Sequence, residues 1–155
     1  MPAKSLGELQ EMVGWRSPAF AVPIEEGRVE AFADAVGDDD PVYREEAAAR
    51  ARGLPGRPAP ITFLGSLFFT DEEAHLPDLT FDPESQLHAE QSFSVERPPV
   101  VGETLSGRVE LVAIRQKERG DGGTLTFADL ETAFRDEEGD LVVTATQTRL
   151  EVLDE

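Results

Sequence analysis

The chain has 155 residues, with 32 acidic against 14 basic side chains and a formal net charge of -18. That length fits one domain with a real core, and the charge argues against nucleic acid or an anionic membrane surface, both of which need a basic face. Cysteine is absent, which excludes disulfides, thiolate nucleophiles and Cys-ligated metal sites, and a 39% apolar content with nine Phe is too rich for a disordered acidic tail.

The N-terminal stretch has no apolar signal core, and the densest apolar run, Ile61 to Phe69, is too short to span a bilayer. The expectation is a cytoplasmic protein without membrane insertion. Ser17 to Ile24 alternates weakly between two prolines and reads as an edge strand. Glu26 to Val36 reads as a helix, because Val29, Phe32, Ala33 and Val36 form one apolar stripe. Gly37 suits its C-terminal cap, and Asp40-Pro41 reads as an N-cap with proline at the first helical position. A short Ala-rich helix is expected from Tyr43 to Arg52, stopped by Gly53 and Pro55. Ile61 to Thr70 is apolar all round and reads as a helix buried on every side. An acidic loop at 71–87 follows.

Four strand-like stretches complete the chain: His88 to Val95, Thr104 to Gln116, Leu125 to Arg135 and Leu141 to Leu153. Alternation places Leu105, Val109, Leu111 and Ala113 on one face of the second. Pro98-Pro99 with Gly102, Gly120 to Gly123, and Glu138 to Asp140 are the turns between them. Helices first and strands after predict an α+β domain, with residues 1–155 as a single unit and the last three strands as a meander. One buried helix followed by a long antiparallel meander is the outline of a hot-dog domain, a sheet wrapped around a central helix.

The segments Gly37 to Tyr43, Ala59 to Phe63, His88 to Phe93 and Glu96 to Leu105 occur in an order and spacing that resembles the MaoC-like dehydratase family. The likeness is to its FAS1-like, N-terminal half and to the non-catalytic subunit of mycolic-acid-type 3-hydroxyacyl thioester dehydratases. The resemblance implies reversible addition of water to an unsaturated acyl thioester. That reaction needs a base for the water, a proton for the α-carbon and donors for the enolate oxygen. Active members carry a Gly-Asp-x-Asn-Pro-x-His loop, and a His-Gly at the start of the hot-dog helix whose N–H meets the thioester oxygen.

Here Asp38 matches the Asp, but Tyr43 stands where the His is expected, and a phenol is a poor base at neutral pH. Ala59-Pro60 stands at the His-Gly position, and proline has no N–H. The N–H of Ile61 or Thr62 is the available substitute. The candidate catalytic residues are therefore Asp38, Tyr43 and His88. The candidate substrate-binding residues are Arg57, Ala59, Pro60, Ile61, Thr62, Phe63 and Arg97, the two arginines as possible phosphate contacts. Each also has a plainer reading: turn and cap for Asp38 and Asp40, packing for Tyr43, core for Phe63, a strand-end hydrogen bond for His88, and solvent for His75. No His, Asp or Glu grouping has metal-ligand spacing, and no cofactor is expected.

Three readings stand. The chain is a subunit that shapes the acyl tunnel of a heterodimer whose MaoC-like partner supplies the Asp/His dyad. Alternatively it is a self-sufficient homodimeric hydratase or thioesterase using Asp38, or a non-enzymatic acyl-thioester binding module. An acidic surface favours acyl-CoA over an acidic acyl-carrier thioester. Pairing of edge strands predicts a dimer.

Overall fold

Alternating apolar residues in the second half of the chain build the long strands that organise the molecule. A computed structural model describes residues 3–69 and 75–154, the side chains of 67–69 excepted. In chain order the elements are α1 (Leu6–Glu11), β1 (Phe20–Pro23), α2 (Glu26–Val36), a 3-10 turn (Pro41–Tyr43), α3 (Glu46–Ala51), a 3-10 helix (Phe63–Phe69), β2 (Gln86–Val95), β3 (Thr104–Glu118), β4 (Thr124–Arg135) and β5 (Leu141–Leu153). The strands form one antiparallel sheet in the order β1-β3-β4-β5-β2. β3, β4 and β5 are the expected meander, and β1 is the expected edge strand. Sheet and short helix together give the α+β hot-dog outline.

The local signals act as the sequence suggests in most places. Helix α2 spans the predicted residues and ends at Gly37, which takes φ 73°, a left-handed cap that a residue with a Cβ resists. The Asp40 carboxylate accepts from Val42 N at 3.0 Å ahead of Pro41. Helix α1 was not anticipated. It rests on a capping box in which Ser5 accepts from Glu8 N and Glu8 accepts from Ser5 N.

Three expectations are corrected. The Ala-rich helix begins at Glu46 and not at Tyr43, because the residues after Pro41 form a separate 3-10 turn. The helix at 61–70 is a 3-10 helix from Phe63, with Thr70 outside the described residues. Its i to i+3 bonds start with Phe63 N to Pro60 O at 2.9 Å and Gly65 N to Thr62 O at 2.9 Å. Gly65 and the aromatic run are weak α formers. Nor is this segment buried on every side: Phe63 and Leu64 are 1% exposed, whereas Ile61 is 67% exposed. Finally, a bulge between Leu111 and Ala113 breaks the alternation of β3. It sends Ile114, not Ala113, into the core.

Two apolar clusters fill the space between sheet and helices. One gathers Val22, Ile24, Val29, Phe63, Leu64, Leu105, Phe134 and Val143 under the 3-10 helix and α2. The other gathers Leu9, Leu79, Phe81, Leu111, Ile114 and Leu130 under α1 and the loop before β2. Each fully buried side chain of this size contributes about 1.5–3 kcal/mol.

Candidate functional site

The loop from Gly37 to Tyr43 is held in shape by its own acids. Asp38 Oδ1 accepts from Asp40 N at 3.1 Å, an Asx turn. Asp40 Oδ2 pairs with Arg52 at 2.7 Å, and this bond together with the one from Val42 N holds the Asp40 carboxyl below its usual range. Arg44 donates to the carbonyls of Asp38 and Asp40 and pairs with Asp34. Tyr43 is half-buried and packs on the main core cluster. Burial first, then the charges of Asp38 and Asp40, push its phenol above the ordinary value of 10.0. That direction keeps the Tyr43 phenol protonated at neutral pH.

A separate open groove of about 500 Å³ lies between α2, the start of the 3-10 helix and β2. Its lining is Phe32, Thr62, Gly65, Ser66, His88, Gln91 and Phe93. The wall is aromatic, with Phe32 meeting Phe63 edge to face at 5.8 Å. Phe93 lies so close over Gly65 that a Cβ there would sit 3.0 Å from the ring. Thr62 and His88 are its exposed polar residues. The backbone N–H groups of Ile61 and Thr62 donate to no backbone carbonyl of the described residues. The lining is thus largely apolar, with polar side chains at Thr62 and His88.

The structure thus divides the sequence candidates. Thr62 and His88 come together on the groove, and Asp38 and Tyr43 come together in the loop after α2. Neither Asp38 nor Tyr43 is among the groove's lining residues. Ala59, Pro60 and Phe63 are buried behind it, and Ala59 N donates to Pro99 O at 2.8 Å. Arg57 bridges Glu26 at 2.8 Å and Glu30 at 3.1 Å, tying its loop to α2. Arg97 clamps Glu103 with both guanidinium ends, at 2.9 and 3.0 Å, and reaches Asp136 at 3.2 Å. Both arginines have intramolecular partners. His75, expected in solvent, stacks on Phe20 with ring centroids 4.3 Å apart.

Sequence reasoning did not assign Phe32, Gly65, Ser66, Gln91 or Phe93 to a site. The i+3 stripe marked Phe32, and alternation marked Phe93, only as core. Nor did it single out the acids of the last hairpin. Asp136, Glu138 and Asp140 place one carboxylate oxygen each within 4.8 Å of the others. The Asp136 carboxylate is already engaged by the N–H groups of Glu138 and Asp140 and by Arg97.

Comparison with known proteins agrees with this architecture. The model of the FAS1-like dehydratase domain region matches residues 11–145. A UPF0336 protein of Streptomyces coelicolor is 36% identical over 140 residues, covering 88% of this chain and 89% of its own. Among solved structures, a MaoC-like dehydratase superposes with TM-score 0.78 at 27% identity, covering 94% of this chain and 43% of that one. This chain therefore spans less than half of that protein. A C-terminally truncated HadBC (3R-hydroxyacyl-ACP dehydratase) complex from Mycobacterium tuberculosis superposes with TM-score 0.68 at 23% identity, covering 90% and 96%.

Proposed function

Because the chain belongs to the family of FAS1-like dehydratase domains, we propose that it is the tunnel-shaping half of a MaoC-like (R)-3-hydroxyacyl-thioester dehydratase or enoyl-CoA hydratase. A second MaoC-like chain supplies the Asp/His dyad. The observation that carries this reading is the pairing of an open, aromatic-lined groove with a loop whose chemistry is disarmed. Tyr43 occupies the base position as a neutral phenol, and Asp38 is committed to a turn. The groove's polar groups, Thr62, His88 and the N–H of Ile61 or Thr62, orient the thioester carbonyl, while Phe32 and Phe93 hold the acyl chain.

Two further features support assembly with a partner. Strand β2 pairs with β5 on one side and, among the described residues, with nothing on the other, and it exposes Leu87 and Val95. An unpaired edge with apolar side chains is a pairing surface. One structural neighbour is a HadBC complex, and another chain of this fold is more than twice as long, as expected if two such units act together. In this reading residues 1–155 form one hot-dog domain, the compartment is the cytoplasm, and acyl-CoA is favoured over an acyl-carrier thioester. Among the described residues no helix is long and apolar enough to cross a membrane.

The test is loss of enoyl absorbance with crotonyl-CoA and a longer enoyl-CoA. The chain alone is expected to be inactive, and turnover should appear with a MaoC-like chain that carries the intact Asp/His loop. One observation favours a second reading, a self-sufficient hydratase or thioesterase, because His88 does face the groove. Robust turnover by the lone chain, abolished in His88→Ala or Asp38→Ala, would select that reading instead.

A further inference from the structure

The outer face of the sheet carries a second cleft, of about 430 Å³, on the side away from the core. Strand alternation puts it there. Leu105 and Val109 of β3 are buried, and Ser106, Arg108 and Glu110 point the opposite way. Between its long side chains the lining is small: Ala19, Ser106 and Ala133. Register explains the space. Ser106 stands directly opposite Arg135, and Arg108 directly opposite Ala133, so each arginine faces a short side chain across the strand pair.

The chain has 32 acidic against 14 basic side chains, so carboxylates are plentiful around its guanidiniums. Eight arginines bridge one, Arg57 and Arg97 among them. Among the described residues Arg108 and Arg135 bridge none, and both line the cleft. Arg135 donates one N–H to Gly139 O at 3.1 Å, which leaves the rest of its fork unused. The two arginines are diagonal neighbours on one face, with Cβ atoms within about 7–8 Å. Two like charges therefore stand side by side with no carboxylate between them. Glu110 and Glu131, directly opposite each other, form the other end of the cleft. Arg16 offsets Glu110 at 3.0 Å. Glu131 lies four residues from Arg135 along β4, about 13 Å away.

We propose that the basic end of this cleft binds the phosphate group of a small phosphate ester. Arg108 and Arg135 present forked N–H donors that match phosphate oxygens, and an anion between them turns their mutual repulsion into attraction. The exposed Ser106 hydroxyl, opposite Arg135, adds a neutral donor. The small residues beside it leave room for the organic part of the ester. Among the described residues no aromatic side chain lines the cleft, so it offers a nucleobase no ring to stack on. The cleft and the groove lie on opposite faces of the sheet, and this inference does not depend on the acyl-thioester reading.

Titration of the full chain with glycerol 3-phosphate, followed by nuclear magnetic resonance, tests this, with glycerol as the uncharged control. Saturable shifts should appear at the amides of residues 106–110 and 131–135 with the ester and not with glycerol. Affinity should rise with pH through about 6, where a phosphate monoester takes its second charge, and fall as salt is added. Arg108→Gln and Arg135→Gln should each weaken binding about tenfold or more. Both positions are exposed, so the variants keep the fold. Competition with coenzyme A identifies the source: displacement assigns the phosphate to a coenzyme, and its absence to a free ester. Glycerol 3-phosphate that binds no tighter than glycerol, or binding that survives both arginine substitutions, overturns the site.

Discussion

Tyr43 is where the residue-scale chemistry is most exposed to test. It is the only tyrosine in the chain, so its ionisation can be followed by ultraviolet absorbance without interference. Burial and the Asp38 and Asp40 charges disfavour the phenolate, and its midpoint should lie above 10.0 in the folded protein and fall in Asp38→Asn. A raised folded-state value means the folded chain holds that proton more tightly than the unfolded one. Its contribution to stability is therefore complete below the unfolded value and lost as pH rises through the folded one. Asp40 has the opposite sign, contributing above its ordinary 3.8 and losing that contribution as pH falls. Arg57 provides a second residue-scale test. Its side chain is 12% exposed and bound at both ends to Glu26 and Glu30. Arg57→Ala should lower stability by about 1–2 kcal/mol in denaturant titration and leave the affinity for acyl-CoA unchanged. A large loss of affinity with stability intact would instead make it a phosphate contact.

At the scale of elements, the bulge in β3 makes a prediction opposite to that of simple alternation. Ile114→Ala should cost about 2–4 kcal/mol, because Ile114 is 8% exposed in the second core cluster. Ala113→Ser should cost under about 0.5 kcal/mol. Thermal unfolding of the two variants distinguishes the registers directly. The same strand shows what was legible in the sequence. Its turns, its length and the face carrying Leu105, Val109 and Leu111 follow from period-two patterning and from Gly and Pro punctuation. The bulge does not, since one inserted residue leaves no compositional mark. The buried run at 61–69 was recognisable by its hydrophobicity. Its packing partners, Phe32 against Phe63 and Phe93 over Gly65, lie far away in sequence. The groove itself joins α2, the 3-10 helix and β2, and no local pattern announces that Phe32, Gln91 and Thr62 meet. Asp38 and Tyr43 were legible as a motif. That they face each other and not the groove became visible only in the fold.

At the scale of the whole molecule, the sheet ends on two different edges. β1 covers one side of β3, with residues 14–17 continuing the pairing through Gly14 N to Leu111 O and Ser17 N to Val109 O. Among the described residues β2 has no strand on its other edge, beside the groove, and Leu87 there is 56% exposed. Replacing Leu87 with Lys, a charge that blunts edge pairing, should weaken self-association or partner binding in sedimentation velocity by about tenfold or more while thermal stability of the unpaired chain stays within about 0.5 kcal/mol. On the proposed reading, this chain acts only when assembled with one that carries the base. The most direct measurement holds a MaoC-like chain with an intact Asp/His loop at fixed concentration and adds this chain while enoyl-CoA hydration is recorded. The account predicts a rise that saturates at one chain per catalytic chain and persists with Asp38→Ala. Turnover that scales with this chain alone, or that Asp38→Ala abolishes, would contradict it.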